Sequence, residues 1–256
     1  MQSDKFDDLM RRFEWFHSLR VPQGCYAVLR LDGRSFSKVT ENFQKPFDPL
    51  FNMNMRLIAE TLMTEFDASY GFTESDEISI LLNKDFDIFD RELEKLVSIS
   101  AALAASKFTL LRDIETVAFD SRISVLPGLD NVIDYFRCRS ADALRCGLNS
   151  WAYWTLRKEG MTAAQATLVL SGKDKEYKNE LLFQNGINFN DVPAWQKRGV
   201  GLRWEEYDKE GEDPRTGQKA TARRRRLAVD DSLPEGDAYS KYIRDIVLAD
   251  EARRKK

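Results

Sequence analysis

The clearest signal along the chain is the spacing of its apolar residues, which changes from every second position to every third or fourth. Residues 25–32 have the two-residue period of a strand. One face of this strand carries Cys25, Ala27, Leu29 and Leu31, and the other carries Tyr26, Val28, Arg30 and Asp32. Gly33 follows, where backbone can approach a ligand closely because no Cβ intervenes. The pattern predicts a strand that ends in a carboxylate.

A helical period begins after this strand. Asp48-Pro49 supplies an N-cap and a proline at the first helical position. The apolar residues that then recur at three-to-four-residue spacing are Phe51, Met55, Ile58, Leu62 and Phe66. Residues 69–72 and 78–82 next read as two strands joined by the short polar segment 73–77, a hairpin with Asp76 and Glu77 at its turn.

A second long helix is predicted over about residues 89–111, followed by one or two strand pieces between 116 and 126. The order strand, helix, hairpin, helix, strand is the split βαβ plan. We therefore predict an α+β fold with a ferredoxin-like palm of the polymerase or cyclase type. Its antiparallel sheet is expected to carry helices on one face and to leave the other face open.

The second half of the chain predicts more helices and another hairpin. Helices are expected over 130–158, 162–170, 174–184 and from about 237 onward, and a hairpin over 200–207 and 222–229 around the polar loop 208–219. We divide the chain into a palm-like catalytic core, residues 1–128, and a helical and β-hairpin portion, residues 129–256, packed on it as one compact unit.

Composition narrows the class of protein. The 43% apolar and 32% charged residues are typical of a soluble globular enzyme, and the net charge of -3 permits a polyanionic partner without predicting one. An acidic start and the absence of a long apolar run predict a cytoplasmic protein with no membrane segment. His17 is the one histidine, and we expect a surface or structural role for it.

The candidate chemistry lies at Asp32 and Asp76. Carboxylates that bridge or flank two divalent ions support phosphoryl transfer, and a set of hard oxygen ligands favours Mg²⁺. The alternative is that Asp32-Gly33 is a turn and that Ser75-Asp76-Glu77 caps a hairpin, because these are common turn residues. Spacing alone leaves the two interpretations evenly balanced, and the palm-like order of elements favours a metal site.

The same segments resemble the tRNA-histidine guanylyltransferase family. The matching motifs, in chain order, are Leu31–Phe36, Lys45–Asp48, Tyr70–Glu77, Phe119–Arg122, Arg139–Asp142 and Lys178–Phe183 followed by Gly186-Ile187-Asn188. These enzymes are reverse, 3′-to-5′ polymerases. The resemblance implies a reaction in which ATP adenylylates a 5′-phosphorylated RNA end and the 3′-hydroxyl of GTP or another NTP then displaces AMP. It also implies a tRNA or tRNA-like substrate and a homotetramer.

The resemblance assigns site residues as well. Asp32 and Asp76 would be side-chain ligands of two Mg²⁺ ions, with Gly33 donating its carbonyl and Glu77 in the same acidic cluster. The triphosphate of the incoming nucleotide would be held by Ser75, Asp76 and the segment made of Asp32, Gly33, Arg34, Ser35, Phe36 and Ser37. Lys45 matches a lysine linked to 5′-end activation, although a lone lysine in a loop is more often simply solvated.

Contacts to RNA phosphates are expected from a separate set of residues. This set is Arg122, Arg139, Arg145, Lys178 and Asn179. For an arginine on a long helix, the alternative is an ion pair with an acidic residue on the same face.

One family motif is absent. Members that guanylylate histidine tRNA carry His-Ile-Asn-Asn just after the Arg-x-Ala-Asp element, whereas this chain has Leu144-Arg145-Cys146-Gly147 there. Aligning Asn149 instead places Gly147 at the histidine position. The departure resembles the branch that performs template-dependent 5′-end addition and repair of tRNA. Histidine-tRNA-specific guanylylation, a palm-fold nucleotide cyclase and a non-catalytic RNA-binding protein remain alternatives.

Overall fold

The alternating apolar segments form the strands of one antiparallel sheet. A computed structural model describes residues 2–112, 114, 116–212 and 219–255. In these ranges the strands are β1 Tyr26–Gly33, β2 Tyr70–Glu74, β3 Glu77–Leu82, β4 Phe119–Leu126, β5 Val200–Glu212 and β6 Lys219–Asp230. Their order across the sheet is β4-β1-β3-β2-β5-β6. The first four strands have the split βαβ arrangement, so the predicted α+β, ferredoxin-like fold is confirmed.

The helices begin close to the positions that the sequence signals indicate. They are α1 Gln2–Arg11, α2 Phe36–Val39, α3 Pro49–Glu65, α4 Leu93–Arg112, α5 Leu129–Lys158, α6 Ala163–Leu170, α7 Lys175–Gln184, α8 Trp195–Arg198 and α9 Gly236–Arg254. Asp48 caps α3 by accepting a hydrogen bond from the backbone N–H of Phe51 at 2.7 Å. The helix predicted from residue 89 begins instead at Leu93, because residues 88–91 form a 3₁₀ turn.

The sheet is covered on both faces, which corrects the expectation of one open face. Helices α3 and α4 pack on the face that presents Leu29 and Leu31. On the other face, Val28, Tyr70 and Phe72 pack against α5 and α9. The alternation in β1 explains this difference, because its second face is apolar up to Val28 and becomes polar only at Arg30 and Asp32.

The C-terminal hairpin extends the sheet. β5 pairs with β2 and then with β6, and the strands of this hairpin continue further than the sequence indicates. Residues 208–212 and 219 belong to strands rather than to the predicted polar loop, β6 begins three residues before the predicted strand start at 222, and residues 213–218 lie outside the described ranges. Of the one or two strand pieces expected between 116 and 126, the structure has one, β4. The division near residue 128 stays a prediction.

None of the helices in the described ranges has both the length and the apolar composition needed to span a membrane.

Candidate active site

The two acidic segments singled out in the sequence meet at one end of the sheet. Asp32, near the end of β1, pairs in register with Glu77 at the start of β3. Ser75 and Asp76 form the turn between β2 and β3, and Ser75 has a φ of 48°. The backbone N–H of Gly33 donates to the carbonyl oxygen of Asp76 at 3.2 Å. This bond holds the end of β1 against the turn, and both Asp32 and Asp76 line one cavity.

The segment after Asp32 turns tightly because Gly33 has no side chain. A Cβ at Gly33 would lie 2.3 Å from the ring of Phe36, which is buried. The backbone N–H of Arg34 donates to the carbonyl of Ala118 at 2.9 Å, and Ser35 adopts a φ of 59°. Phe36 and Ser37 line the cavity with Asp32, whereas Arg34 and Ser35 are exposed beside it. Triphosphate binding by this segment stays a prediction.

The cavity has a volume of about 490 Å³ and is lined mainly by carboxylates and aromatic rings. Its walls come from the ends of β1 to β3, from residues 40–52, from α5 and from residues 195–199. The six carboxylates are Asp32, Asp48, Glu74, Asp76, Glu77 and Asp142, and the five aromatic rings are Phe36, Phe43, Phe47, Phe51 and Trp195. Lys45 is the one cation among the lining residues. A phosphate chain can enter such a cavity only if bound cations offset the carboxylates.

Glu77 differs from the two aspartates because arginines pair with it. Arg139 lies 3.2 Å and Arg30 lies 3.4 Å from its carboxylate, and the side chains of Glu77 and Arg139 are only 13% and 15% exposed. Burial raises the pKa of Glu77, and the two guanidinium groups oppose that rise.

Among the ion pairs of the described part of the chain, none involves Asp32 or Asp76; Arg122 is near enough for the charge of Asp32 to raise its pKa, but its ion pair is with Asp120. Burial raises the pKa of Asp76, and the charge of Asp32 adds to the rise. Two neighbouring carboxylates that lack an ion-pair partner offer oxygen ligands to a divalent cation.

Sequence reasoning missed Glu74. It lies directly opposite Glu77 across the hairpin. Burial, followed by the charges of Glu77 and Asp142, raises its pKa to about 8. The two-residue period gave a usable signal, because residue 74 shares the face of Tyr70 and Phe72 that packs against α5. Asp142 was missed as a cavity residue because only the tertiary fold brings α5 to this edge.

Lys45 reaches the cavity from the loop before α3. Its ammonium donates to the carbonyl of Thr40 at 2.6 Å and lies 5.4 Å from the ring centroid of Trp154 on α5. Burial lowers the pKa of Lys45, whereas the charges of Asp48 and Glu41 oppose that shift.

The five residues expected to contact RNA fall into two groups. Arg122 pairs with Asp120 at 2.8 Å, Arg145 bonds Asp142, and Arg139 spans Glu77 and Asp142, all near the acidic edge. Lys178 and Asn179 lie on α7, away from the cavity lining, and Asn179 bonds the carbonyl of Lys175. For Arg139 the buried ion pairs favour a structural role. RNA binding by all five stays a prediction.

His17 lies outside the cavity lining. Its Nδ1 is 3.2 Å from Glu92 and 4.0 Å from Glu94, and the ligand atoms of the three residues lie within 4.8 Å of one another. Lys95, which is outside this cluster, already pairs with Glu92 at 3.0 Å and balances one of its two carboxylates.

Sequence comparison finds two family models in this chain. Residues 7–127 match the model described as tRNAHis guanylyltransferase, and residues 130–234 match the model of the Thg1 C terminal domain. The tRNA(His) guanylyltransferase of Debaryomyces hansenii is 33% identical over 224 residues, covering 80% of this chain and 84% of the relative. That of Candida glabrata is 32% identical, covering 78% and 90%.

Solved structures show the same likeness. A bacterial Thg1-like protein in complex with GTP superposes with a TM-score of 0.75 at 27% identity, covering 95% of this chain and 99% of that one. The tRNA(His) guanylyltransferase of Saccharomyces cerevisiae superposes with a TM-score of 0.68 at 29% identity, covering 74% and 90%.

Proposed function

The chain belongs to the tRNA(His) guanylyltransferase family of nucleotidyltransferases, and we propose that it is a Mg²⁺-dependent 3′-to-5′ nucleotidyltransferase that repairs tRNA 5′ ends in the cytoplasm. In the first step an oxygen of the RNA 5′-phosphate attacks the α-phosphorus of ATP, and pyrophosphate leaves. In the second, the 3′-hydroxyl of an NTP attacks the activated 5′-phosphate, loses its proton, and AMP leaves.

The observation that carries the proposal is the pair Asp32 and Asp76 in a cavity with six carboxylates and one lysine. Two unit charges about 4 Å apart repel by about 4 kcal/mol at an effective dielectric of 20. Carboxylate and carbonyl oxygens suit Mg²⁺, so Asp32, Asp76 and the Gly33 carbonyl fit two such ions. When bound, the ions would neutralise phosphate charge and favour ionisation of the attacking hydroxyl.

The protein's own residues would position the reactants. The family relatives of known structure include a bacterial Thg1-like protein in complex with GTP and one in complex with ATP, which supports nucleotide binding in the corresponding cavity here. The aromatic rings Phe43, Phe47 and Trp195 offer apolar surface to a base. Lys45 would contact phosphate during 5′-end activation, and Ser37 and Ser75 would donate hydrogen bonds to a triphosphate.

The template-dependent branch is supported by the packing at Gly147. A Cβ there would lie 2.4 Å from the backbone carbonyl oxygen of Gln196, so no larger side chain fits without moving α8. In the register that aligns Asn149, a histidine at position 147 is therefore incompatible with the observed contact between α5 and α8. In the ungapped register, Leu144 occupies the histidine position, and its side chain cannot replace an imidazole. The sequence and the packing both favour recognition that does not use that residue.

The proposed homotetramer requires contacts between copies of the chain, and the N-terminal segment offers a surface for one such contact. Exposed large apolar residues there are Phe6, Leu9, Met10, Phe13, Trp15, Phe16 and Leu19. Concentrated apolar exposure of this kind usually marks a protein interface.

The function is tested with a tRNA that lacks its first 5′ nucleotide, ATP, Mg²⁺ and each labelled NTP in turn, against a panel of opposing 3′-strand bases. Addition that follows the opposing base supports repair. Guanosine addition to full-length histidine tRNA alone would overturn the repair assignment, and product formed without RNA would indicate a cyclase. Asp32→Asn and Asp76→Asn should each abolish addition while thermal unfolding remains cooperative. Retained addition in either variant would contradict the metal assignment.

A further inference from the structure

The face of α5 that lines the cavity continues beyond it. Ala143, Gly147 and Ser150 belong to the cavity wall, and the same three-to-four-residue spacing leads to Trp154 and Arg157. Arg157 is seven positions beyond Ser150, which is about 10 Å along a helix. This face of α5 thus continues from the cavity for two further helical turns and includes the ring of Trp154, which Lys45 contacts.

Two cations converge on that ring. The ammonium of Lys45 lies 5.4 Å and the guanidinium carbon of Arg157 lies 5.7 Å from the ring centroid of Trp154. Lys45 donates to the carbonyl of Thr40, and Nη1 of Arg157 donates to the hydroxyl of Tyr153 at 3.1 Å. These partners are neutral oxygens.

Neither cation has an ion-pair partner within the described ranges, and Nε of Arg157 is buried there without a hydrogen-bond acceptor. Most arginines near the cavity are different, since Arg122, Arg139 and Arg145 each pair with a carboxylate. A buried donor without an acceptor is costly, and two like charges beside one ring add to that cost. An anion bound by the ammonium of Lys45 and the terminal nitrogens of Arg157 would give both cations a charged partner.

The chemistry of the donors selects phosphate. A guanidinium fork and an ammonium are the usual partners of phosphoryl oxygens, and the indole adds an apolar surface beside them. Burial lowers the pKa of Lys45, and an anion bound nearby would raise that pKa again. The alternative is that Arg157 only complements the carbonyl end of α5, where it occupies the last turn.

We infer that Lys45, Trp154 and Arg157 form a phosphate-binding subsite adjoining the cavity, in which Arg157 binds phosphoryl oxygens during 5′-end activation and Trp154 positions both cations. The inference rests on the proposed function for its reactants. The phosphate belongs either to ATP or to the RNA 5′ end, and the two sources are separable by experiment.

The test compares Arg157→Gln with Lys158→Gln. Lys158 occupies the same final turn of α5 and is exposed, so its replacement removes an equal charge from the helix end without changing the subsite. Calorimetric titration with Mg-ATP gives binding without turnover, and filter binding compares truncated tRNA bearing a 5′-phosphate with the same RNA bearing a 5′-hydroxyl. Steady-state assays give KM for ATP and for 5′-phosphorylated tRNA separately. Trp154→Leu should weaken the same binding step as Arg157→Gln, by a smaller factor.

Arg157→Gln is expected to weaken the binding of one phosphate source by about tenfold, as when one hydrogen bond between charged groups is lost. A rise in Kd and KM for ATP assigns the subsite to the nucleotide. A rise in KM for tRNA, with loss of the preference for a 5′-phosphate, assigns it to the RNA. If the constants for ATP (Kd and KM) and the KM for tRNA of Arg157→Gln all stay within twofold of those of Lys158→Gln, the subsite does not exist. A wild-type protein that binds ATP but adds no nucleotide would refute the proposed function, and the binding comparison would still decide the subsite.

Discussion

Replacing Arg139 with methionine should destabilise the protein strongly and in a pH-dependent way. Arg139 lies on α5 and contacts the carboxylate of Glu77 at 3.2 Å, with only 15% of its side chain exposed. Methionine keeps much of the apolar volume of the side chain and removes its charge. Glu77, itself 13% exposed, then retains one ion pair within the described ranges, with Arg30 at 3.4 Å.

The size of the effect follows from leaving a buried carboxylate half-paired. Removing one partner of a buried ion pair typically costs about 3–5 kcal/mol of unfolding free energy. Because Glu77 keeps its contact with Arg30, we expect a cost of about 3 kcal/mol, at the low end of this range. Arg145 provides a matched control on the same helix. It pairs with Asp142 but is 65% exposed, so Arg145→Met should cost less than about 1 kcal/mol.

The pH dependence has a definite sign. Burial already raises the pKa of Glu77, and removing Arg139 should raise it further. A carboxyl group whose pKa is higher in the folded state loses stability as pH rises through that pKa. The deficit of Arg139→Met should therefore be small at pH 5 and largest at pH 8.

Urea unfolding monitored by tryptophan fluorescence at both pH values measures this deficit. The double variant Arg139→Met/Glu77→Gln should recover most of the loss. The argument fails if Arg139→Met costs no more than Arg145→Met, or if its deficit is the same at pH 5 and pH 8.

Two further predictions concern the cavity walls. Gly147→Ala should lower the unfolding free energy by about 1–3 kcal/mol, because the new Cβ would clash with the backbone of Gln196, and this outweighs a gain of about 1 kcal/mol in helix propensity. Urea unfolding measures the change, and a stabilised variant would show that α8 can move away from α5. Glu74, whose pKa is raised from 4.5 to about 8, should destabilise the fold progressively as pH rises through that window. Glu74→Gln should therefore gain stability relative to the wild type between pH 5 and pH 8, and a constant difference in urea midpoints would contradict the raised pKa.

Much of the fold could be predicted from local signals. The alternation at 25–32, the Asp48-Pro49 start and the polar turn at Ser75-Asp76 each act over a few residues, and the structure places strand, helix and turn there. The hairpin at 200–229 was predicted too short because cross-strand pairing can order charged residues that have no strand-like pattern. Its ladder pairs Glu205 with Arg226 and Asp208 with Arg223.

At the candidate site, too, some features follow from the local sequence and others only from the tertiary structure. The sequence by itself determined that Asp32 lies at the end of a strand and Asp76 at a hairpin turn, because the two-residue period and the turn chemistry are local properties of the chain. Only the tertiary structure decided which carboxylates keep a cation. Helix α5 places Arg139 on Glu77 and Trp154 beside Lys45, whereas Asp32 and Asp76 have no ion-pair partner among the residues that the structure describes. These pairings join residues 62 to 109 positions apart, and no local pattern specifies which charge is buried against which.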